Sequence, residues 1–117
     1  MKEIIFDVHP LGMYSFSCEA YDMYYKRRYN KNIYFYTRDL DGTYIRVDDK
    51  NKRKNLRNRI ITFVDFGKKT DEIPFDKEVR VAPLDESYEN DEILKSIVEE
   101  LGENASWKES DLRVIQL

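Results

Sequence analysis

At 117 residues the chain has room for one domain with a real core, and not for two. Its 41% hydrophobic and 37% charged content describe a folded protein with a densely charged surface, and exclude a disordered one. A net charge of −3 supplies no global field for nucleic acid or an anionic membrane.

The opening Met1-Lys2-Glu3-Ile4-Ile5-Phe6 runs straight into a strand-like segment, with no apolar signal core or small-residue cleavage site. No apolar run approaches the roughly 20 residues needed to span a bilayer. The single cysteine, Cys18, cannot form an intramolecular disulfide and fits a reducing compartment. The expected location is the cytoplasm. Aromatics are in surplus, with nine tyrosines, six phenylalanines and one tryptophan. Tyr14, Tyr21, Tyr24, Tyr25, Tyr29, Tyr34, Tyr36 and Tyr44 crowd the first half. Tyrosine packs with one end and hydrogen-bonds with the other, so it suits core rims and interfaces alike.

In chain order, Ile4 to Val8 reads as a short buried strand ended by His9-Pro10. Leu11 to Phe16 is a loop around Gly12. Ser17 is the expected N-cap of a helix with Glu19 in its first turn, Ala20, Tyr21, Tyr24 and Tyr25 on one face, and Lys26, Arg27 and Arg28 in the last turn. A hairpin follows: Ile33 to Arg38, the Asp41-Gly42 turn, then Thr43 to Val47, with Tyr44 and Arg46 sharing one face. Residues 48–59 read as a polar connection carrying Lys50, Lys52, Arg53, Lys54, Arg57 and Arg59.

Arg59 to Phe66 is read as a strand, 68–77 as a loop, and Glu78 to Val81 as a short strand. Asn90 is the expected cap of a second helix whose apolar stripe is Ile93, Leu94, Ile97, Val98 and Leu101, stopped by Gly102. Leu112 to Leu117 closes the chain as a strand. The order β-α-β-β-β-β-α-β predicts a single compact α+β domain over residues 1–117, with a mostly antiparallel sheet and two helices.

Catalytic and metal chemistry finds little support. One histidine and one cysteine cannot supply the four nitrogen or sulfur ligands of a structural zinc site. A Cys18–His9 thiolate dyad competes with Cys18 as a small packed residue at the first helical position, and packing is the preferred reading. Asp39-Leu40-Asp41-Gly42 places its glycine two positions early for a calcium loop, and Lys50 stands where the glutamate belongs. No phosphate-cradling or dinucleotide glycine pattern occurs. A non-enzymatic binding protein without cofactor or metal is expected. A long polyanion is disfavoured by the acidic stretch from Asp85 to Glu103, whereas a small anionic ligand needs only a local pocket of arginines and aromatic rings.

Two stretches carry a resemblance. One is Gly12-Met13-Tyr14-Ser15-Phe16-Ser17-Cys18-Glu19-Ala20-Tyr21 with the strand Ile33 to Arg38 after it. The other is the helix from Asp91 through Ser106 with its closing strand Leu112 to Leu117. Together they span roughly half the chain, and their arrangement resembles a family of small phage and prophage proteins, the first Thoeris anti-defence family. That resemblance implies a sponge: an oligomer in the cytoplasm of an infected bacterial host that binds a cyclic ADP-ribose isomer and holds it uncleaved. Candidate ligand residues for such a role are Gly12, Met13, Tyr14 and Phe16 of the loop and Arg38, Tyr44 and Arg46 of the hairpin, with Arg57 and Arg113 as further candidates. The alternative roles are a staple at the helix start for Tyr14 and Phe16 and a cross-strand surface pair for Arg38 and Arg46. Aromatics would stack on adenine and arginines would hold the pyrophosphate. The alternative is a phage protein that inhibits a host protein by direct contact.

Overall fold

The computed structural model describes residues 2–117. In chain order its elements are β1 (Glu3–Asp7), α1 (Cys18–Tyr29), β2 (Tyr34–Arg38), β3 (Tyr44–Arg46), α2 (Lys50–Arg53), β4 (Ile60–Thr62), β5 (Lys69–Thr70), α3 (Glu92–Leu101) and β6 (Leu112–Gln116), with 3-10 turns at Glu86–Tyr88 and Gly102–Ala105. The class is α+β and every strand pairing is antiparallel, as the element order predicts. The strands form two sheets rather than one, ordered β1-β6 and β4-β2-β3-β5, and α2 is a third, short helix. The chain divides accordingly into two units, Met1–Asn30 with Pro83–Leu117, and Lys31–Ala82.

In the first unit, Ser17 caps α1 as expected, its hydroxyl accepting from the Ala20 N–H at 3.2 Å. Asn30 ends the helix in the left-handed conformation that closes many helices. α1 and α3 pack together. Tyr21, Tyr24, Leu94, Ile97 and Val98 are buried there, as are Ile5 and Leu112 from the inner face of the β1–β6 ribbon. The helical tyrosines are therefore core residues. The Tyr24 hydroxyl donates to Asp91 Oδ2 at 2.8 Å, and the Tyr21 hydroxyl accepts from the Leu84 N–H at 3.0 Å. Asp91 caps α3 in place of Asn90, one residue later than predicted, through the Leu94 N–H at 3.0 Å. The strip around Phe16 is stitched to the chain after α3 by Ser17 N–H to Ala105 O (2.8 Å) and Trp107 N–H to Ser15 O (2.9 Å).

In the second unit the hairpin forms as read. Gly42 takes φ 87°, which suits glycine in a tight turn, and the Asp41 carboxylate accepts from the Thr43 N–H and hydroxyl. The polar connection contains α2, capped by Asp49. Its Arg53 turns inward, so that Nε donates to Val47 O at 2.8 Å and the guanidinium stands 4.5 Å from the Phe35 ring centre. The predicted strand 59–66 shortens to β4 because the Thr62 hydroxyl donates to Val64 O and turns the chain. Glu78 to Val81 contributes a single bridge, Thr62 to Arg80, since its start is tied into a turn by Asp76. The stretch read as a loop contains β5, which pairs with β3.

Candidate functional site

Strand alternation and register assemble one face of the four-stranded sheet. Tyr36 stands opposite Arg46, and Arg38 opposite Tyr44, so these four side chains share a face. The Arg38 guanidinium carbon lies 5.9 Å from the Tyr44 ring centre, within cation–π range. The Arg38 backbone is clasped by Asn58, whose Oδ1 accepts from the Arg38 N–H at 2.6 Å and whose Nδ2 donates to the Arg38 carbonyl at 3.2 Å. Arg57, exposed, is the chain neighbour of that asparagine. Among the described residues no carboxylate pairs with Arg38 or Arg57.

Arg46 is differently placed. It donates to Asp48 through Nε at 3.0 Å and to Asp65 through Nη1 at 2.5 Å. These two carboxylates raise its pKa, and Asp65 is held below the usual carboxylate range by the Gly67 N–H and then by Arg46. Tyr36 beside it is buried, donating to Gly67 O at 2.7 Å and accepting from the Phe66 N–H at 2.9 Å. Burial raises its pKa, so it is a neutral donor at any ordinary pH. Arg46 and Tyr36 thus pin the segment 65–67 to the sheet, and the uncommitted cation of the face is Arg38.

The loop candidates lie in the other unit with Arg113. Asp7 organises that loop by accepting from the N–H groups of His9 (3.0 Å), Tyr14 (2.8 Å) and Asp111 (2.8 Å). Burial opposes its charge, but these donors outweigh it and the carboxyl pKa falls below its ordinary value. The same bonds hold Tyr14 at φ 54°, a left-handed conformation that most side chains avoid. The Tyr14 hydroxyl is committed to Ile5 O at 2.8 Å, and its ring meets Phe16 edge-on at 5.7 Å.

Phe16 is fully buried and presents no face to a ligand, which corrects its place among the stacking candidates: it is a core residue. Gly12 (φ 54°) and Met13 are exposed at the loop tip. Arg113 is exposed and doubly bonded to Asp111. Cys18 is buried, and His9 Nδ1 accepts from the Leu11 N–H, so both members of the weighed dyad have structural roles. Asn58, Asp48, Asp65 and Asp7, which shape these sites, carry no motif in the sequence. Only the position of Asp7 before His-Pro hints at a side-chain-bonded turn.

Comparisons with protein-family models, with curated proteins and with solved structures return no match. The face therefore stands on its chemistry alone: a guanidinium beside an aromatic ring, able to hold a phosphate and stack a base.

Proposed function

We propose that the chain binds a cyclic ADP-ribose-type signalling nucleotide and sequesters it uncleaved, as an anti-defence sponge in the cytoplasm of an infected bacterium, assembling as an oligomer. The observation that carries the reading is the Arg38–Tyr44 pair, an exposed cation with no carboxylate partner among the described residues, set beside a half-buried aromatic ring at the turn end of a hairpin. In this reading Arg38 donates to the pyrophosphate, Tyr44 stacks on the base, and Arg57 adds charge from the neighbouring connection. Arg46 has its charge balanced by two aspartates and serves to position the face. The choice of a cyclic ADP-ribose-type ligand is the one the sequence resemblance implies, and the chemistry of the face supports a phosphate-bearing ligand with a ring to stack.

A second reading, direct inhibition of a host protein, is favoured by Phe6, Val8, Leu11 and Met13, all exposed apolar residues within eight positions of one another. Calorimetric titration with cyclic ADP-ribose isomers separates the two. Heat of binding, with intact ligand recovered after the complex is heated, is the result the sponge requires. No heat, alongside capture of one specific host protein, would establish the second reading instead.

A further inference from the structure

The first unit carries an open strand edge beside an acidic groove. In the β1–β6 ribbon, Val8 N–H donates to Asp111 O and Leu117 N–H to Lys2 O, both at 2.9 Å, and the register pairs Phe6 with Arg113 and Ile4 with Ile115. In an antiparallel ladder these residues point their backbone groups at each other, so the alternate residues of β6 point theirs away from β1. The Leu112 N–H is taken by the Ser106 hydroxyl at 2.7 Å. The N–H and C=O of Val114 and the N–H of Gln116 have no hydrogen-bond partner among the described residues.

Beside this edge runs a groove of about 360 Å³ between β6 and the end of α3. Its apolar floor is Val98, Leu112 and Val114, and its rim holds Glu3, Glu99 and Glu103. No basic residue occupies the last turn of α3, so the negative end of the helix dipole adds to those carboxylates. The groove's one cation, Arg113, is matched by Asp111.

We propose that this edge docks an extended basic peptide segment of a partner protein, which adds to β6 as a third strand. Backbone bonds to Val114 and Gln116 set its register. Lys or Arg side chains on the face shared by Leu112 and Val114 lay their stems over Val98 and Val114 and reach the glutamates, and the alternate apolar side chains lie on the opposite face beside Ile115. Charge decides against a second copy of this chain, because β6-to-β6 pairing would bring two acidic rims together. The surface is separate from the Arg38 face and does not depend on the nucleotide reading.

The test uses an acetylated, amidated peptide of alternating lysine and valine, its glutamate–valine counterpart, and amide hydrogen exchange on the full chain. The lysine peptide is expected to slow exchange at Val114 and Gln116 by about tenfold or more, and to bind more weakly as salt rises from about 50 to about 300 mM. Val114→Pro removes the edge donor and should abolish binding. The double variant Glu99→Lys with Glu103→Lys, which touches only exposed side chains, should weaken it about tenfold and decides the matter if the proline variant does not fold. Equal binding of the glutamate peptide, or binding that leaves both amides unprotected, overturns the proposal. Protection that grows with protein concentration in the absence of peptide overturns it in favour of self-pairing.

Discussion

Asp91→Ala removes one carboxylate that serves three partners. Oδ1 caps α3 through the Leu94 N–H at 3.0 Å, while Oδ2 accepts from the Tyr24 hydroxyl and from Arg28 Nη1, each at 2.8 Å. Losing the cap costs about 1 kcal/mol. Stranding the Tyr24 hydroxyl, on a ring only 1% exposed, adds about 1–3 kcal/mol. The Arg28 side chain is 43% exposed and its pair is screened by water, so it contributes little. The expected loss is therefore about 3 kcal/mol. Tyr24→Phe removes the donor and leaves the cap, and should cost only about 1 kcal/mol.

The double variant should cost less than the sum of the two, because with the hydroxyl gone Asp91→Ala strands nothing. Urea unfolding followed by Trp107 fluorescence measures this directly, since Trp107 is the only tryptophan and lies in the same unit. A loss below about 1 kcal/mol for Asp91→Ala, or strict additivity of the pair, would refute the reasoning.

Two predictions concern pH. The folded Asp7 carboxyl titrates below its ordinary 3.8, so its stabilisation is complete above that pH and is lost as pH falls through the folded value; Asp7→Asn should flatten the acid limb of a stability–pH curve, and an unchanged limb would contradict the Asp7 hub. At the other extreme, burial raises the phenols of Tyr14 and Tyr24 well above their ordinary 10.0 and pushes Tyr25 up to about 12. A phenol raised in the folded state stabilises below its unfolded pKa and ceases to as pH climbs, so stability should fall above pH about 10. Tyrosinate absorbance should show these rings ionising only as the fold is lost, and smooth titration of all nine in the native state would contradict it.

Much of the fold was legible because it is written in local chemistry. Ser17, Asp41-Gly42 and Gly102 are caps and turns whose function follows from their own side chains or their lack of one. The period of two put Tyr44 and Arg46 on one face before any register was known, and the hairpin register adds Arg38. What stayed hidden depends on partners distant in sequence. Nothing near Arg46 announces that Asp65 will neutralise it, and nothing near Phe16 announces that residues 105–107 will cover its strip. β5 is two polar residues long, too short for any alternation, and only its pairing with β3 makes it a strand. The surplus tyrosines show the same limit, since packing against α3 made Tyr24 a core residue with its hydroxyl on Asp91.

The central claim is that Arg38 and Tyr44 form the ligand face, and the most direct test is calorimetry with a cyclic ADP-ribose isomer on four proteins: the native chain, Arg38→Ala, Tyr44→Ala and Arg113→Ala. A charge-assisted bond to phosphate and a stacked base are each worth about 1–3 kcal/mol, so Arg38→Ala and Tyr44→Ala should each weaken binding about tenfold to a hundredfold. Arg113→Ala, in the other unit and already satisfied by Asp111, should bind like the native chain. Native affinity in Arg38→Ala and Tyr44→Ala, or no binding by any of the four, contradicts the account.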